Sequence, residues 1–269
     1  MRLIVTRVQP QAQHWANRFE ASGHEALVWP LIEVRGLADP AAVHLAWQNL
    51  SNYKAAMFVS RHAVDYFFEE KPASAFDANA LADMRTRWWA TGPGTAHALL
   101  DHGVATPRLD TPPEQAGQFD SEALWQQVHN QVQPGDKVLI VRGDSVAPDG
   151  SSVADNDQGV GREWLAKRLR QSGAQVDFVV AYQRGAPFWT SAQCGLAQLA
   201  ASDGSVWLFS SAEALGHLQS LLPGQDWSAA RAVATHPRIA AAARGLGFGV
   251  VAQTRPTWEE VLASVESLA

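Results

Sequence analysis

An α/β protein built of two similar domains, each a parallel sheet flanked by helices, is the fold class that this sequence predicts. Three observations carry that expectation. Short, wholly apolar runs such as Leu3, Ile4 and Val5, or Leu139, Ile140 and Val141, have the composition of strands covered on both faces. Each run leads to apolar residues at helical spacing, closed by a glycine at Gly23 and again at Gly173. The third observation is repetition, since residues 137–184 restate the N-terminus. Leu3, Ile4 and Val5 match Leu139, Ile140 and Val141; Ala16 and Phe19 match Ala166 and Leu169; Ser22 and Gly23 match Ser172 and Gly173. The strand offset reads as 136 and the helix offset as 150, which gives the later copy 14 extra residues in its first turn. A repeat of this length is far above the 20–50 residues of a solenoid and implies duplicated domains.

Taken in order, Leu3 to Val5 form a strand, Ala12, Trp15, Ala16 and Phe19 the buried stripe of a helix, and Ala26 to Trp29 a second strand closed by Pro30. Residues 31–40 have no period and read as an exit strand or linker. A helix over 42–50 leads to a strand at 55–59 that stops at Ser60, with Ala63, Val64, Phe67 and Phe68 in the helix beyond. Trp88, Trp89 and Ala90 form the next strand, which stops at Thr91, Gly92, Pro93, Gly94 and Thr95. Ala96, Leu99 and Leu100 share one helical face ending at Gly103, residues 107–117 read as loop, and Ser121 with Glu122 starts another helix. After the strand, helix and strand of 137–184, residues 206–211 with Ala214 and Leu215 echo Phe58, Val59 and Ser60 with Ala63 and Val64. Residues 232–237 with Ala240 echo 88–93 with Ala96 at an offset of 144, which puts Gly247 in the place of Gly103. Trp258 and Glu259 open the last helix.

At 269 residues, two domains are a better expectation than one. The net charge of −6 argues against broad binding to nucleic acid, which needs a basic surface. The single cysteine, Cys194, allows no intrachain disulfide and no cysteine-rich zinc site, and the nine histidines show no metal-ligand spacing. No run approaches the ~20 apolar residues that span a bilayer, and the N-terminus turns polar by Gln9. A cytoplasmic enzyme with no membrane partner is expected. The eleven tryptophans are read as core residues.

Ligands of open parallel sheets gather at the carboxyl ends of the strands. Here those ends carry Thr6 and Arg7, Ser60 to His62, Thr91 to Thr95, Arg142 and Gly143, Tyr182, Ser210 and Ser211, and Thr235 to Arg238. Hydroxyls, arginines and helix N-termini suit anions. Ser60, Ser211 and Thr95 read equally as helix caps, Arg7 and Arg142 equally as surface ion pairs, and His62 and His236 as turn residues. No phosphate-loop or dinucleotide motif follows any strand. The loop at 144–160 holds Asp144, Asp149, Asp155 and Asp157 but lacks the terminal glutamate of a calcium loop.

In these residues the chain resembles the uroporphyrinogen-III synthase family. The resemblance rests on Thr6-Arg7 after the first strand, on Phe58-Val59-Ser60 with Ala63-Val64, and on Gly92 with Thr95-Ala96 and Gly103. Ser121-Glu122 with Leu124, Arg142-Gly143 with Gly161-Arg162, Ala181-Tyr182 with Arg184, Phe209-Ser210-Ser211, and 234–240 complete it. It covers nearly the whole chain. It implies two α/β domains, 1–36 plus 185–269 and 37–184, joined by a two-segment linker with a cleft between them. The implied reaction is cyclisation of hydroxymethylbilane to uroporphyrinogen III, with loss of water and inversion of the last ring. No metal or organic cofactor is implied, and a monomer is expected. A transient contact with the upstream enzyme that makes hydroxymethylbilane stays open. By the same resemblance Tyr182 is the candidate general acid, and Arg7, Ser60, Thr95, Arg142, Ser211 and Arg238 are candidate substrate contacts. The family's usual threonine after Pro237 is missing, because the chain reads Arg238-Ile239 there. Arg238 is the expected replacement, and the 144–160 loop is expected to be disordered or lid-like. The competing expectations are a non-catalytic two-domain protein that binds a small anion, and a synthase paralogue with altered activity.

Overall fold

Eleven strands and ten helices alternate along the residues that the computed structural model describes, namely 1–72, 84–113, 121–146 and 159–268. The chain runs β1 (Arg2–Val5), α1 (Gln11–Ala21), β2 (Glu25–Val28), β3 (Glu33–Gly36), α2 (Ala41–Gln48), β4 (Ala55–Phe58) and α3 (Arg61–Glu69). It continues with β5 (Arg87–Ala90), α4 (Pro93–Asp101), β6 (Leu109–Asp110), α5 (Ser121–Val128), β7 (Lys137–Val146), α6 (Gly159–Gln171) and β8 (Gln175–Gly185). Last come α7 (Ser191–Ala200), β9 (Val206–Phe209), α8 (Ala212–Leu221), β10 (Arg231–Ala234), α9 (Pro237–Leu246), β11 (Val250–Gln253) and α10 (Trp258–Glu266).

These elements fall into two units, Met1–Glu33 with Gly185–Ala269, and Val34–Arg184. The first holds a five-stranded sheet of order β11-β10-β9-β1-β2, the second a six-stranded sheet of order β3-β8-β7-β4-β5-β6. Read backwards from β6, the second sheet repeats the first strand for strand, with β3 added at its edge. The duplication seen in the sequence is therefore a duplication of topology. The pairs β1–β2, β1–β9, β9–β10, β10–β11, β4–β5, β4–β7 and β5–β6 are all parallel. The break expected after residue 36 comes slightly earlier, because β3 is a strand of the second sheet.

The packing corrects one offset. Leu3 and Val5 pack with Ala12, Ala16 and Phe19 of α1, and Val138 and Ile140 pack with Leu165, Ala166 and Leu169 of α6. Ile4 and Leu139 point to the opposite layers. Leu3 thus corresponds to Val138, and the strand offset is 135. A slip of one residue in a strand exchanges its two faces, so apolar identity alone could not fix the register. The helix offset of 150 stands, with Gly23 and Gly173 both at φ +84 in the left-handed turn that closes each helix.

Three further elements were not read from the sequence. β6 lies in the stretch expected to be loop, and it is a two-residue edge strand set by its pairing with β5, Trp88 opposite Leu109. β11 is a half-exposed edge strand after Gly249, with only Val250, Val251 and Ala252 as an apolar run. α7 has mixed composition and starts at Thr190, whose side chain accepts from the Gln193 N–H in a capping box. The expectation for the 144–160 loop lies largely outside the described residues, since β7 continues to Val146 and description resumes at 159. Among the described residues no helix is long and apolar enough to cross a membrane.

Five of the eleven tryptophans are buried, and the other six are half-buried against the cores. Trp47, Trp88, Trp89, Trp207 and Trp227 are among the largest fully buried side chains. Trp47 stacks on Phe67 with ring centroids 4.6 Å apart, and its Nε1 donates to the Phe67 carbonyl at 2.7 Å. Trp47→Ala is expected to cost about 3–5 kcal/mol through the cavity it leaves. Trp47→Phe should cost less, chiefly the lost hydrogen bond at about 1–3 kcal/mol. Urea titrations followed by circular dichroism check both values and their order.

Candidate active site

β4 is wholly buried and ends on Phe58, so the chain leaves the sheet by Ser60 and turns into α3. Ser60 caps that helix, its Oγ accepting the Ala63 N–H at 3.1 Å. The cap reading is correct, but it is not the whole role. The same Oγ lies 3.1 Å from the phenol oxygen of Tyr182, which β8 delivers from elsewhere in the sheet. Tyr182 is only 6% exposed. Its ring covers Gly143, where any Cβ would collide with Cζ and Cε2 of the phenol. Tyr66 stacks against one side with centroids 5.8 Å apart and planes at 24°, and donates its own hydroxyl to the Val34 carbonyl at 3.1 Å. His62 lies 5.8 Å from the Tyr182 ring, tilted by 51°. The phenol is thus held below by Gly143, beside by Tyr66 and His62, and at its oxygen by Ser60.

His62 was expected as a turn residue, and the structure corrects this. It stands in the first turn of α3 with its ring toward Tyr182. Burial pushes its imidazole below the ordinary value; Asp65 opposes that shift, and the charges of Arg184 and Arg61 add to it. Arg61 is itself engaged by Asp65 at 3.3 Å and by Asp101 at 3.7 Å, and Asp65 also meets His102 at 3.3 Å. Tyr66, Gly143 and this use of His62 escaped sequence reasoning. A signal existed for two of them, because His62 and Tyr66 are spaced i, i+4 on one helical face just after Ser60. Gly143 was visible only as part of Arg142-Gly143, without its role, since a close approach by a residue 39 positions away leaves no mark on its neighbours.

The other candidates fall in two separate groups, and all sit where strands end except Arg142, which was expected there but lies inside β7 because that strand runs on to Val146. In the second unit Thr95 is the third residue of α4 and only 6% exposed, so it is not the cap; Gly92 occupies that place. Arg142 lies in β7 with its guanidinium 5.4 Å from the Phe178 ring and a buried Nε that has no hydrogen-bond partner among the described residues. In the first unit Arg7 follows β1 and lies 4.3 Å over the Trp15 ring, with Nε and Nη2 buried and unpaired; burial lowers its pKa. Ser211 occupies the N-cap of α8 without a side-chain cap bond. Arg238 is exposed at the start of α9, and its N–H donates to Nδ1 of His236, which caps that helix and is a turn residue as expected. Ile239 is packed into the core. Thr6 bonds the Leu208 carbonyl at 2.6 Å and is committed to the fold.

The two units match at some of these positions and differ at others. Arg7 corresponds to Arg142 and Ser211 to Ser60, while Thr95 has Ile239 as its counterpart. The helix offset of 150 gives Tyr182 the counterpart Ile32, and the strand offset of 135 gives Gly143 the counterpart Val8. Both of those residues pack in the apolar core of the first unit. A phenol over a glycine therefore exists in the second unit only. No cluster of three or more His, Cys, Asp or Glu side chains suited to a metal occurs among the described residues.

Because a methyl group at 143 displaces the Tyr182 ring, Gly143→Ala should break the contact with Ser60. It should lower turnover at least as far as Tyr182→Phe does, in the same assay, whereas Gly94→Ala, where an added Cβ meets nothing within 4 Å, tests a glycine substitution without a clash.

A sequence profile described as Uroporphyrinogen-III synthase HemD matches residues 13–263. The uroporphyrinogen-III synthase of Escherichia coli (strain K12) is 28% identical over 264 residues, covering 92% of this chain and 92% of the relative. That of Salmonella typhimurium is 29% identical over 259 residues, with 92% of each covered. Among solved structures, uroporphyrinogen-III synthetase from Helicobacter pylori aligns over 100% of both chains with a TM-score of 0.58, at 16% identity, and supports the fold. Two parallel sheets in matching order, with a profile match across most of the sequence, lead to one conclusion: this chain belongs to the uroporphyrinogen-III synthase family.

Proposed function

We propose that Tyr182 is the general acid of the synthase reaction and that Ser60 holds its oxygen in place. The reaction is that of the family, cyclisation of the linear tetrapyrrole hydroxymethylbilane to uroporphyrinogen III. The observation that carries the assignment is the 3.1 Å contact between the Tyr182 phenol and Ser60 Oγ.

The chemistry asks little of the acid and much of the scaffold. Electrons of the pyrrole nitrogen expel the hydroxyl of the terminal CH₂OH, and the leaving oxygen departs as water if a proton donor is beside it. The phenol of Tyr182 supplies that proton. The oxygen left behind accepts from the Ser60 hydroxyl, which is itself fixed at the N-terminus of α3, where the helix dipole favours negative charge. General acids contribute ~10²–10⁴-fold in rate. The harder task is to present the last ring so that its substituted carbon attacks, giving a spiro intermediate and an inverted ring. That is catalysis by orientation. The substrate's many carboxylates are the handles. Arg7, Ser211 and Arg238 in the first unit, and Ser60, Thr95 and Arg142 in the second, are the proposed anchors. Arg7 and Arg142 are the strongest of these, because a guanidinium with buried, unpaired N–H groups gains most from an incoming carboxylate. We further propose that the enzyme acts as a monomer in the cytoplasm and receives its short-lived substrate by brief contact with the enzyme that makes it.

Hydroxymethylbilane closes on its own to the type I isomer, so the isomer formed decides the activity. Incubation with the protein should give type III, and type I alone would remove the reading. Tyr182→Phe keeps the ring over Gly143 and should lower kcat by about 10²-fold or more with KM little changed. A rate near wild type would take Tyr182 out of the mechanism. Arg7→Ala should instead raise KM, as expected for a contact made equally in ground and transition states.

A further inference from the structure

We infer that Tyr66 is a positioning residue of the reaction, which fixes the plane of the Tyr182 ring and so the direction in which its proton is offered. The inference rests on the reading of Tyr182 as the acid. A phenol O–H bond lies in the plane of its ring, so turning the ring about Cβ–Cγ swings the proton. The oxygen lies on that same axis and does not move. The 3.1 Å contact with Ser60 therefore places the oxygen and leaves the plane open. Gly143 makes room for the ring. Tyr66 supplies the face that holds it, stacked with centroids 5.8 Å apart and planes at 24°.

Tyr66 can hold another ring because its own is fixed. Its hydroxyl donates to the Val34 carbonyl at 3.1 Å, and a Cβ added at Gly36 would lie 3.6 Å from its Cε1. Val34 and Gly36 belong to β3, which is the neighbour of β8 in the sheet, and β8 carries Tyr182. The contacts thus close a circuit from β8 through Tyr182 and Tyr66 to β3, and so back to β8. The repeat separates the structural part of this circuit from the catalytic part. Tyr66 stands six residues after Ser60, as His217 does after the matching Ser211. His217 Nδ1 donates to the Leu31 carbonyl at 2.7 Å. Each unit therefore grips the segment 31–34 from the same helical position, and that grip belongs to the fold. The first unit has Ile32 where the second has Tyr182, so its copy of the position has no phenol to orient. Stacking on a phenol is found in the second unit alone.

The test measures kcat and KM of the full chain with Tyr66→Leu or Tyr66→Phe, each alone and combined with Tyr182→Phe. Tyr66→Leu removes the stacked face and should lower kcat about 10-fold or more with KM little changed, since a misplacement of ~1 Å can cost ~10²-fold. Tyr66→Phe keeps the face and should recover most of that loss. In the Tyr182→Phe background, Tyr66→Leu should change kcat by less than about 2-fold, because a residue acting through the phenol has no proton left to direct. A merely structural role would give the same loss in both backgrounds. Equal losses in both, or a wild-type kcat for Tyr66→Leu beside a slow Tyr182→Phe, overturn the inference and leave the acid assignment standing. Tyr182→Phe at the wild-type rate overturns the acid assignment, and this inference with it. Where Tyr66→Leu does not fold, Tyr66→Met fills more of the space without a flat face and is read by the same outcomes.

Discussion

Tyr182 lies where the neighbouring strand has no side chain. Its ring fills the space above Gly143, and that one approach sets the position of the phenol oxygen against Ser60. Everything else about the site depends on it. Tyr66 and His62 can flank the ring only because α3 is capped at Ser60, and the cap lies there because β4 ends two residues earlier. A buried phenol needs a hydrogen-bond partner, and the helix cap supplies one without a further residue. The cap's oxygen thus serves both the helix N-terminus and the phenol, so stabilising the fold and holding the phenol are one arrangement.

Duplication explains the frame, and divergence explains the chemistry. Both units carry the same strand order, with an arginine at the matching place in the repeat, beyond β1 in one and within β7 in the other, and a serine at a matching helix start. The first unit places Ile32 and Val8 where the second has Tyr182 and Gly143, and closes its core with them. One copy kept an apolar interior at that corner, while the other opened a place for a titratable ring. Ile239 opposite Thr95 is a second divergence of the same kind. Each unit has a buried aromatic core of its own, Trp47, Phe58, Phe67 and Trp88 in one and Trp207, Phe209, Trp227 and Phe248 in the other.

Arg7 and Arg142 place positive charge locally in a protein that is not basic overall. The net charge is −6, yet each guanidinium lies against an aromatic ring and leaves buried N–H groups unpaired. An unpaired buried donor costs about 1–3 kcal/mol, more when charged. The aromatic face recovers part of that through its quadrupole. The remainder is a local readiness for anions that net charge does not reveal.

How much of this was legible in the sequence depended on whether the signal was local. Apolar runs, helical spacing and closing glycines showed the α/β class and most strands, because burial on both faces leaves few polar residues in β1, β4, β7 and β9. Tyr182 and Ser60 were found as separate candidates through resemblance. Edge elements such as β6 and β11 were not visible, because half-exposed strands are selected by their partner and not by their own composition. The register of the repeat was misread by one residue, since Leu, Ile and Val are interchangeable on paper and opposite faces in space. By itself the sequence determined that two sheets would form and that their strand ends would carry hydroxyls and arginines. Only the tertiary structure decided that Gly143 is the seat of Tyr182 and that His62 is its neighbour. Those contacts join residues far apart in the chain, and their cause is steric: one ring can occupy that space only if nothing else does.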